Sequence, residues 1–244
     1  MAIASTRTAG LALSLGVVLA LVGSFLFPGG PLVDGVDQTD FDASVGALAR
    51  NPELSHATTL VVIAGMLLHA YGFLALFGLG RGHGGFMGPG LRFGLILSLF
   101  AWAVFAVSQG KRIMVIHLMQ RADGAETESA RDVFETAALT GHTEMIGLLI
   151  GFMVFFPFAT MLVGLGLAPR FEGMDLLKAA CYGFVVVGAL ALVNFLYAMF
   201  IPDTDLETHL VVHNLMSLVG SACLFIVGIG MYQGRSELVA DDAT

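Results

Sequence analysis

The stretch that decides the fold is TTLVVIAGMLLHAYGFLALFGLG, residues 58–80. It contains no Asp, Glu, Lys or Arg, and a single histidine, His69, lies near its middle. A helix that crosses a membrane needs about 20 consecutive, mostly apolar residues. The stretch is therefore predicted to be a transmembrane α-helix.

Five further stretches are also long and mostly apolar. They lie at approximately residues 9–27, 91–107, 145–167, 179–201 and 210–232. Over all 244 residues the composition is 57% hydrophobic and 12% charged, whereas about 25% charged residues are usual in soluble domains. So few charges cannot cover so much apolar surface in water. The sequence predicts one all-α domain over residues 1–244, an integral membrane bundle of about six transmembrane helices in contact with lipid.

The distribution of basic residues predicts the orientation of this bundle. With a cytoplasmic N-terminus, the inner segments are short and carry six of the eleven Lys and Arg residues: Arg7, Arg81, Arg92, Arg170, Lys178 and Arg235. Basic residues in short loops favour the cytoplasmic side. The prediction is a multi-pass protein of the cell membrane with both termini inside.

The same topology leaves two polar external segments, at residues 28–57 and 108–141. The second is predicted to form short cap helices at 113–120 and 128–139. The spans then pair as three helical hairpins. Counting from His56 and from His142, glycine recurs at +9, +22 and +24 in the second and fourth helices, a pattern that is consistent with a repeated hairpin.

Histidines stand at the external start of every even-numbered helix. His56 opens the second helix, His142 opens the fourth, and His209 with His213 opens the sixth. Residues four apart share one face of a helix, and imidazole is a good ligand for copper, zinc and haem iron. These four histidines are therefore candidate metal ligands, and His117 is a further one if the second external segment folds back. The alternative is a set of half-solvated histidines that coordinate nothing.

A deeper histidine extends this hypothesis. His69 is 13 residues after His56, about 20 Å along a helix axis, and ionisable groups inside membranes usually serve a function. His56, His69 and His142 are thus candidate cofactor ligands, and the cofactors considered are haem b and copper. A hydrogen-bonded neutral imidazole or a proton relay would explain His69 equally well.

Several functional classes are disfavoured. The net charge of −8 and the lack of a basic cluster argue against nucleic-acid binding. The sequence has no P-loop, dinucleotide-binding, GxSxG or HExxH motif. Its two cysteines, Cys181 and Cys223, lie in apolar runs.

The functional hypothesis is an integral membrane subunit of a redox complex that binds haem or copper through the external histidines. Two alternatives remain, a non-catalytic scaffold subunit and a small-solute or metal permease lined by His69 and Asn194. Other membrane-protein subunits are the expected partners.

Overall fold

The computed structural model describes residues 5–80, 87–202 and 205–239. Within these ranges the chain forms seven α-helices, at Thr6–Leu26 (α1), Phe41–Arg50 (α2), Pro52–Phe77 (α3), Met87–Asp123 (α4), Glu128–Leu167 (α5), Leu176–Ala198 (α6) and Leu206–Gln233 (α7). Short 3-10 turns follow α3, α5 and α7. No β-strand occurs in this part of the chain, where an isolated bridge joins Pro28 to Val33. The predicted all-α class is confirmed.

All the helices except α2 are long and apolar enough to cross a membrane. In the most apolar part of each, between 33% and 44% of the residues are buried within the protein. Most of the side chains there face outward, which is what a lipid environment accommodates and water does not. The prediction of six membrane-spanning helices is confirmed, and the chain is a multi-pass membrane protein.

The helix ends differ most from the prediction in residues 108–141. Short cap helices were expected at 113–120 and 128–139, but these residues are the last part of α4 and the first part of α5. No proline interrupts residues 103–123, and each residue added to an existing helix gains a backbone hydrogen bond. At 1.5 Å per residue α4 and α5 are about 55 and 60 Å long, so both extend beyond a hydrocarbon layer of about 30 Å.

Residues 28–57 were expected to be irregular, but they contain α2 and the first turns of α3. Asp40 caps α2 by accepting a hydrogen bond from the backbone N–H of Ala43 at 2.9 Å. The side chain of Asn51 then accepts from the N–H of Leu54 at 3.1 Å and caps α3. Asp and Asn are favoured at these positions because they satisfy the free N–H groups of a first turn.

The chain divides into two compact units. Unit 1 comprises residues 1–18, 65–102 and 153–244, and unit 2 comprises residues 19–64 and 103–152. The division passes through α1, α3, α4 and α5, while α6 and α7 belong wholly to unit 1 and α2 wholly to unit 2.

In unit 1, glycines allow helices to approach closely. A Cβ placed on Gly166 of α5 would lie 2.5 Å from the Cβ of Leu91 on α4. One on Gly188 of α6 would lie 2.6 Å from the carbonyl oxygen of Pro157 on α5. Small residues at such contacts are typical of membrane helices, whose association depends on van der Waals packing because lipid is as apolar as the side chains.

In unit 2, α2 packs on the long helices through its apolar face. Val45 and Leu48 of α2 contact a buried cluster formed by Val115 and Ile116 of α4 and Ala138 of α5. The hydroxyl of Ser55 on α3 donates to the carbonyl oxygen of Leu48 at 2.9 Å. An amphipathic sequence of ten residues therefore becomes a stable helix because its apolar side is buried.

In unit 1 a cluster of charged residues connects the start of α6 to the segment that follows α7. The guanidinium of Arg235 donates to Asp175 at 2.7 Å and to Glu237 at 2.8 Å. Arg235 holds the pKa of Glu237 at about 2, below its ordinary value of 4.5. The backbone N–H of Lys178, and after it Arg235, lower the pKa of Asp175.

The close contact at Gly166 predicts the effect of adding one methyl group. Gly166→Ala forces Leu91 and its backbone to move, and overpacking of this kind costs about 1–3 kcal/mol. Gly147→Ala is the matched control on the same helix, because no atom lies within 4 Å of its added Cβ. Thermal unfolding in a mild detergent should show a lower midpoint for Gly166→Ala alone; equal midpoints would contradict the packing described.

The charged cluster predicts a loss of stability in acid. Because the pKa values of Asp175 and Glu237 are lower in the folded chain, their ionised forms stabilise it at neutral pH. This contribution is lost as the pH falls, and for Glu237 the loss runs from about pH 4.5 to about pH 2. Arg235→Gln should therefore flatten the dependence of the unfolding temperature on pH in that interval. Arg50→Gln, which removes a different exposed ion pair, should leave the slope unchanged, and an unaltered slope in Arg235→Gln would refute the assignment.

Candidate functional site

The histidines are distributed over both units. His56, His117 and His142 belong to unit 2, and His69, His209 and His213 belong to unit 1. His83 lies outside the described residues. Of the seven, His69 and His142 combine deep burial with a lack of hydrogen-bond partners for both ring nitrogens among the described residues.

His142 lies in α5, in the part of that helix that belongs to unit 2. It is 4% exposed, and the edge of its ring meets the ring of Phe41 with centroids 5.5 Å apart. Neither Nδ1 nor Nε2 has a hydrogen-bond partner within the described ranges. A buried polar group without a partner costs about 1–3 kcal/mol, so the site favours any ligand that engages the imidazole.

Arg112 of α4 lies alongside the part of α5 that carries His142, because the neighbouring Lys111 forms an ion pair with Glu144, two residues after His142. Its guanidinium lies 4.4 Å above the centre of the Phe27 ring, a favourable contact between a cation and an aromatic face. Its Nε is buried without a hydrogen-bond partner, and Arg112 forms no ion pair with any residue that the structure describes. The site thus holds a partly buried positive charge that no carboxylate of the described chain balances.

Gln109 precedes Arg112 by one helical turn and shares its face of α4. It is 1% exposed, and its Nε2 donates to the hydroxyl of Ser108 at 3.4 Å. Its Oε1 has no partner in the described part of the chain. We refer to Gln109, Arg112 and His142 as the polar site; it offers a cation, hydrogen-bond donors and a free acceptor.

The fold explains why aromatic side chains border the polar site. Phe41 is the first residue of α2, so the Asp40 cap that begins this helix also positions the ring beside His142. Phe27 follows the end of α1 and packs against the apolar cluster beneath α2. These two rings remain in place because α2 is held to α4 and α5 by its own buried residues.

His56 and His117 form a second group in unit 2. Their ring centroids are 4.7 Å apart and the ring planes are inclined by 44°. Nδ1 of His117 is 3.2 Å from Oε1 of Gln120, and Nε2 of His56 is buried without a partner among the described residues. The sequence prediction had grouped His56 with His142, His209 and His213, and it had considered His117 as a further candidate.

His69 lies in the second half of α3, in unit 1, and is 1% exposed. The Trp102 ring lies 4.8 Å from its imidazole and the Phe73 ring lies 6.4 Å from it, centroid to centroid. The hydrogen bond that the alternative interpretation required is not found among the described residues, where both ring nitrogens are without a partner.

His209 and His213 share a face of α7 but have different surroundings. Nδ1 of His209 is 2.8 Å from Oδ1 of Asn194 on α6, and the amide of Asn194 donates to the backbone carbonyl of His209 at 3.0 Å. His213 meets the edge of the Phe156 ring at 5.4 Å, and its Nε2 is 3.4 Å from the hydroxyl of Ser217. Asn194 therefore bonds to His209, in keeping with the usual role of polar residues between membrane helices.

In residues 5–80, 87–202 and 205–239, no group of three or more His, Cys, Asp or Glu side chains is placed to hold a metal ion. The expected convergence of three or four imidazoles is thus not found in this part of the chain. Arg112 and Gln109 were not among the predicted site residues, since both lie in the segment expected to be external, residues 108–141. The spacing did give an indication, because Gln109 and Arg112 share one helix face with the buried Ile116.

The pairing of Asn194 with His209 predicts a local loss of stability. Asn194→Leu removes two hydrogen bonds between α6 and α7, at a cost of about 0.6–2 kcal/mol in a membrane bundle. Asn214→Leu is the control, because Asn214 is exposed on the same helix as His209. Thermal unfolding should be earlier for Asn194→Leu only. A double-mutant cycle with His209→Phe that gives no coupling would contradict the pairing.

Comparison with known proteins adds no functional assignment. No family model matches the sequence, and no curated protein or solved structure is significantly similar to it. The chain is a multi-pass membrane protein of six spanning helices, with a polar site between α4 and α5.

Proposed function

We propose that this chain is a redox membrane subunit that binds haem b at the polar site, where the imidazole of His142 would hold the iron and the guanidinium of Arg112 would pair with a carboxylate of the haem. The observation that carries this proposal is that, among the described residues, the buried imidazole of His142 has no hydrogen-bond partner and the guanidinium of Arg112, on the adjacent part of α4, has no ion pair. Haem b satisfies both, because its iron accepts an imidazole nitrogen and its propionates are anions. When bound, the haem would supply one-electron chemistry.

Haem fits the described residues better than copper does. Copper and zinc sites draw on several side-chain ligands, whereas the polar site contributes one, the imidazole of His142. Haem iron requires one or two axial ligands from the protein. Of the other sequence candidates, His69 offers the same unpartnered imidazole in unit 1, while His209 already bonds to Asn194.

A redox subunit needs an electron partner, and we propose that other membrane subunits supply it. Large apolar side chains are exposed along the spans, among them Leu67 at 68% and Val193 at 65%. Such surfaces accept lipid or neighbouring helices. We further propose the cell membrane as the location, with both termini in the cytoplasm, on the distribution of basic residues.

A second candidate function, binding and permeation of a small organic anion, is favoured by one observation. Arg112 and Gln109 together offer a positive charge and a free carbonyl acceptor, a combination that recognises the carboxylate and hydroxyl groups of a small acid. This ligand would be colourless, whereas haem absorbs strongly in visible light.

The full chain, expressed with haem supply and purified in a mild detergent, should show a Soret band and about one haem per chain. His142→Phe keeps a ring against Phe41 but removes the nitrogen ligand, and it should abolish the band. It should also raise the unfolding temperature of the haem-free protein, because an apolar ring replaces an imidazole that lacks hydrogen bonds.

Matched variants separate the possible outcomes. Arg112→Gln should weaken haem retention about tenfold through loss of a charge-assisted contact, and Arg121→Gln, which removes a similar stacked arginine from α4, should not. Loss of the band in His69→Phe with retention in His142→Phe would move the ligand to unit 1 and overturn the assignment. A colourless protein that takes up organic acids into proteoliposomes would establish the second function instead.

A further inference from the structure

We infer that His56 and His117 form a binding site for one divalent transition-metal ion of the zinc and copper class, separate from the polar site. The two imidazoles come from different helices, α3 and α4, and both belong to unit 2. The sequence prediction assigned His56 to a different ligand set. The geometry joins it to His117 instead.

The separation of the rings fits a shared ion. A zinc–nitrogen bond is about 2.0–2.1 Å, which places the ion about 3.2 Å from the centre of each coordinating ring. Two rings around one ion are then about 4.5 Å apart for a right angle at the metal and about 5 Å apart for a tetrahedral angle. The observed centroid distance of 4.7 Å lies between these values.

The hydrogen bonds leave nitrogen lone pairs for the ion. Oε1 of Gln120 can only accept, so the contact of 3.2 Å means that Nδ1 of His117 carries the proton and Nε2 is free to coordinate. Metal-bound histidines usually have such a partner on the second nitrogen, and it orients the ring. Gln120 is accordingly a positioning residue.

On the other side of the site, Nε2 of His56 is buried and has no hydrogen-bond partner among the described residues. A coordinated ion would satisfy it. Since His117 is exposed, solvent can reach the ion and complete its coordination with water. Two protein ligands with open positions describe a site that loads and releases its ion reversibly, and an ion bound there ties the start of α3 to the last turns of α4.

Zinc chloride titrated into the purified full chain, after treatment with a chelator, tests the inference. One zinc per chain should bind, and a hundredfold excess over the dissociation constant should raise the unfolding temperature by about 5–10 °C. Both His56→Ala and His117→Ala should weaken binding about a hundredfold or more, and Gln120→Leu about tenfold. His209→Gln, a histidine replacement in unit 1, should leave the affinity unchanged.

Copper(II) in place of zinc provides an independent readout. Its electron paramagnetic resonance spectrum should show coupling to two nitrogens in the wild type and to one in His117→Ala. Because His117 is exposed, this variant should fold, which circular dichroism verifies. Zinc affinity that survives both alanine variants, affinity that falls in His209→Gln, or a copper spectrum without a two-nitrogen pattern would each overturn the site.

Discussion

The hydrocarbon layer contains no water to hydrogen-bond with a peptide group, and the rest of this structure depends on that constraint. Every N–H and C=O at membrane depth must find its partner within the protein, which the α-helix achieves within one segment. The consequence is a chain whose described part is helical nearly throughout. Once α4 and α5 have formed, nothing in their sequences ends them at the membrane surface, so they continue for about 55 and 60 Å.

The same constraint makes each buried polar side chain informative. Asn194 on α6 and His209 on α7 satisfy this need for a partner by hydrogen-bonding to one another. The imidazoles of His69 and His142 form no hydrogen bond with any described residue. A side chain that is costly to bury and has no partner is where a ligand gains most by binding, because the ligand recovers the lost hydrogen bond or coordinate bond.

The two histidine sites of unit 2 differ in the chemistry that they offer. His142 lies on the part of α5 that adjoins Arg112 on α4, and the guanidinium of Arg112 has no ion pair among the described residues, so an anionic ligand suits that place. The rings of His56 and His117 are 4.7 Å apart, centroid to centroid, and imidazole is a good ligand for zinc and copper, so a metal cation suits this pair. We therefore propose separate places in unit 2 for an anionic cofactor and for a metal ion, since the charge and the lone pairs are arranged differently at each.

Much of the fold could be predicted from the sequence, but the neighbours of the candidate histidines could not. Runs of apolar residues without charges predict six spans because the thickness of the bilayer sets their length. They do not predict where helices end outside the membrane, and α2 was missed because its ten residues are stable only when Val45 and Leu48 are buried. His69 was identified as a candidate because ionisable groups in apolar runs are unusual, and His56 and His142 were identified because they open even-numbered helices at the external face.

The sequence by itself determined the all-α class and the six spanning helices, because local hydrophobicity over about 20 residues is sufficient for both. Only the tertiary structure decided which polar groups are neighbours. The pairing of His56 with His117 and of Arg112 with His142 depends on the register between different helices, and that register is set by close packing at particular side chains, not by any single segment.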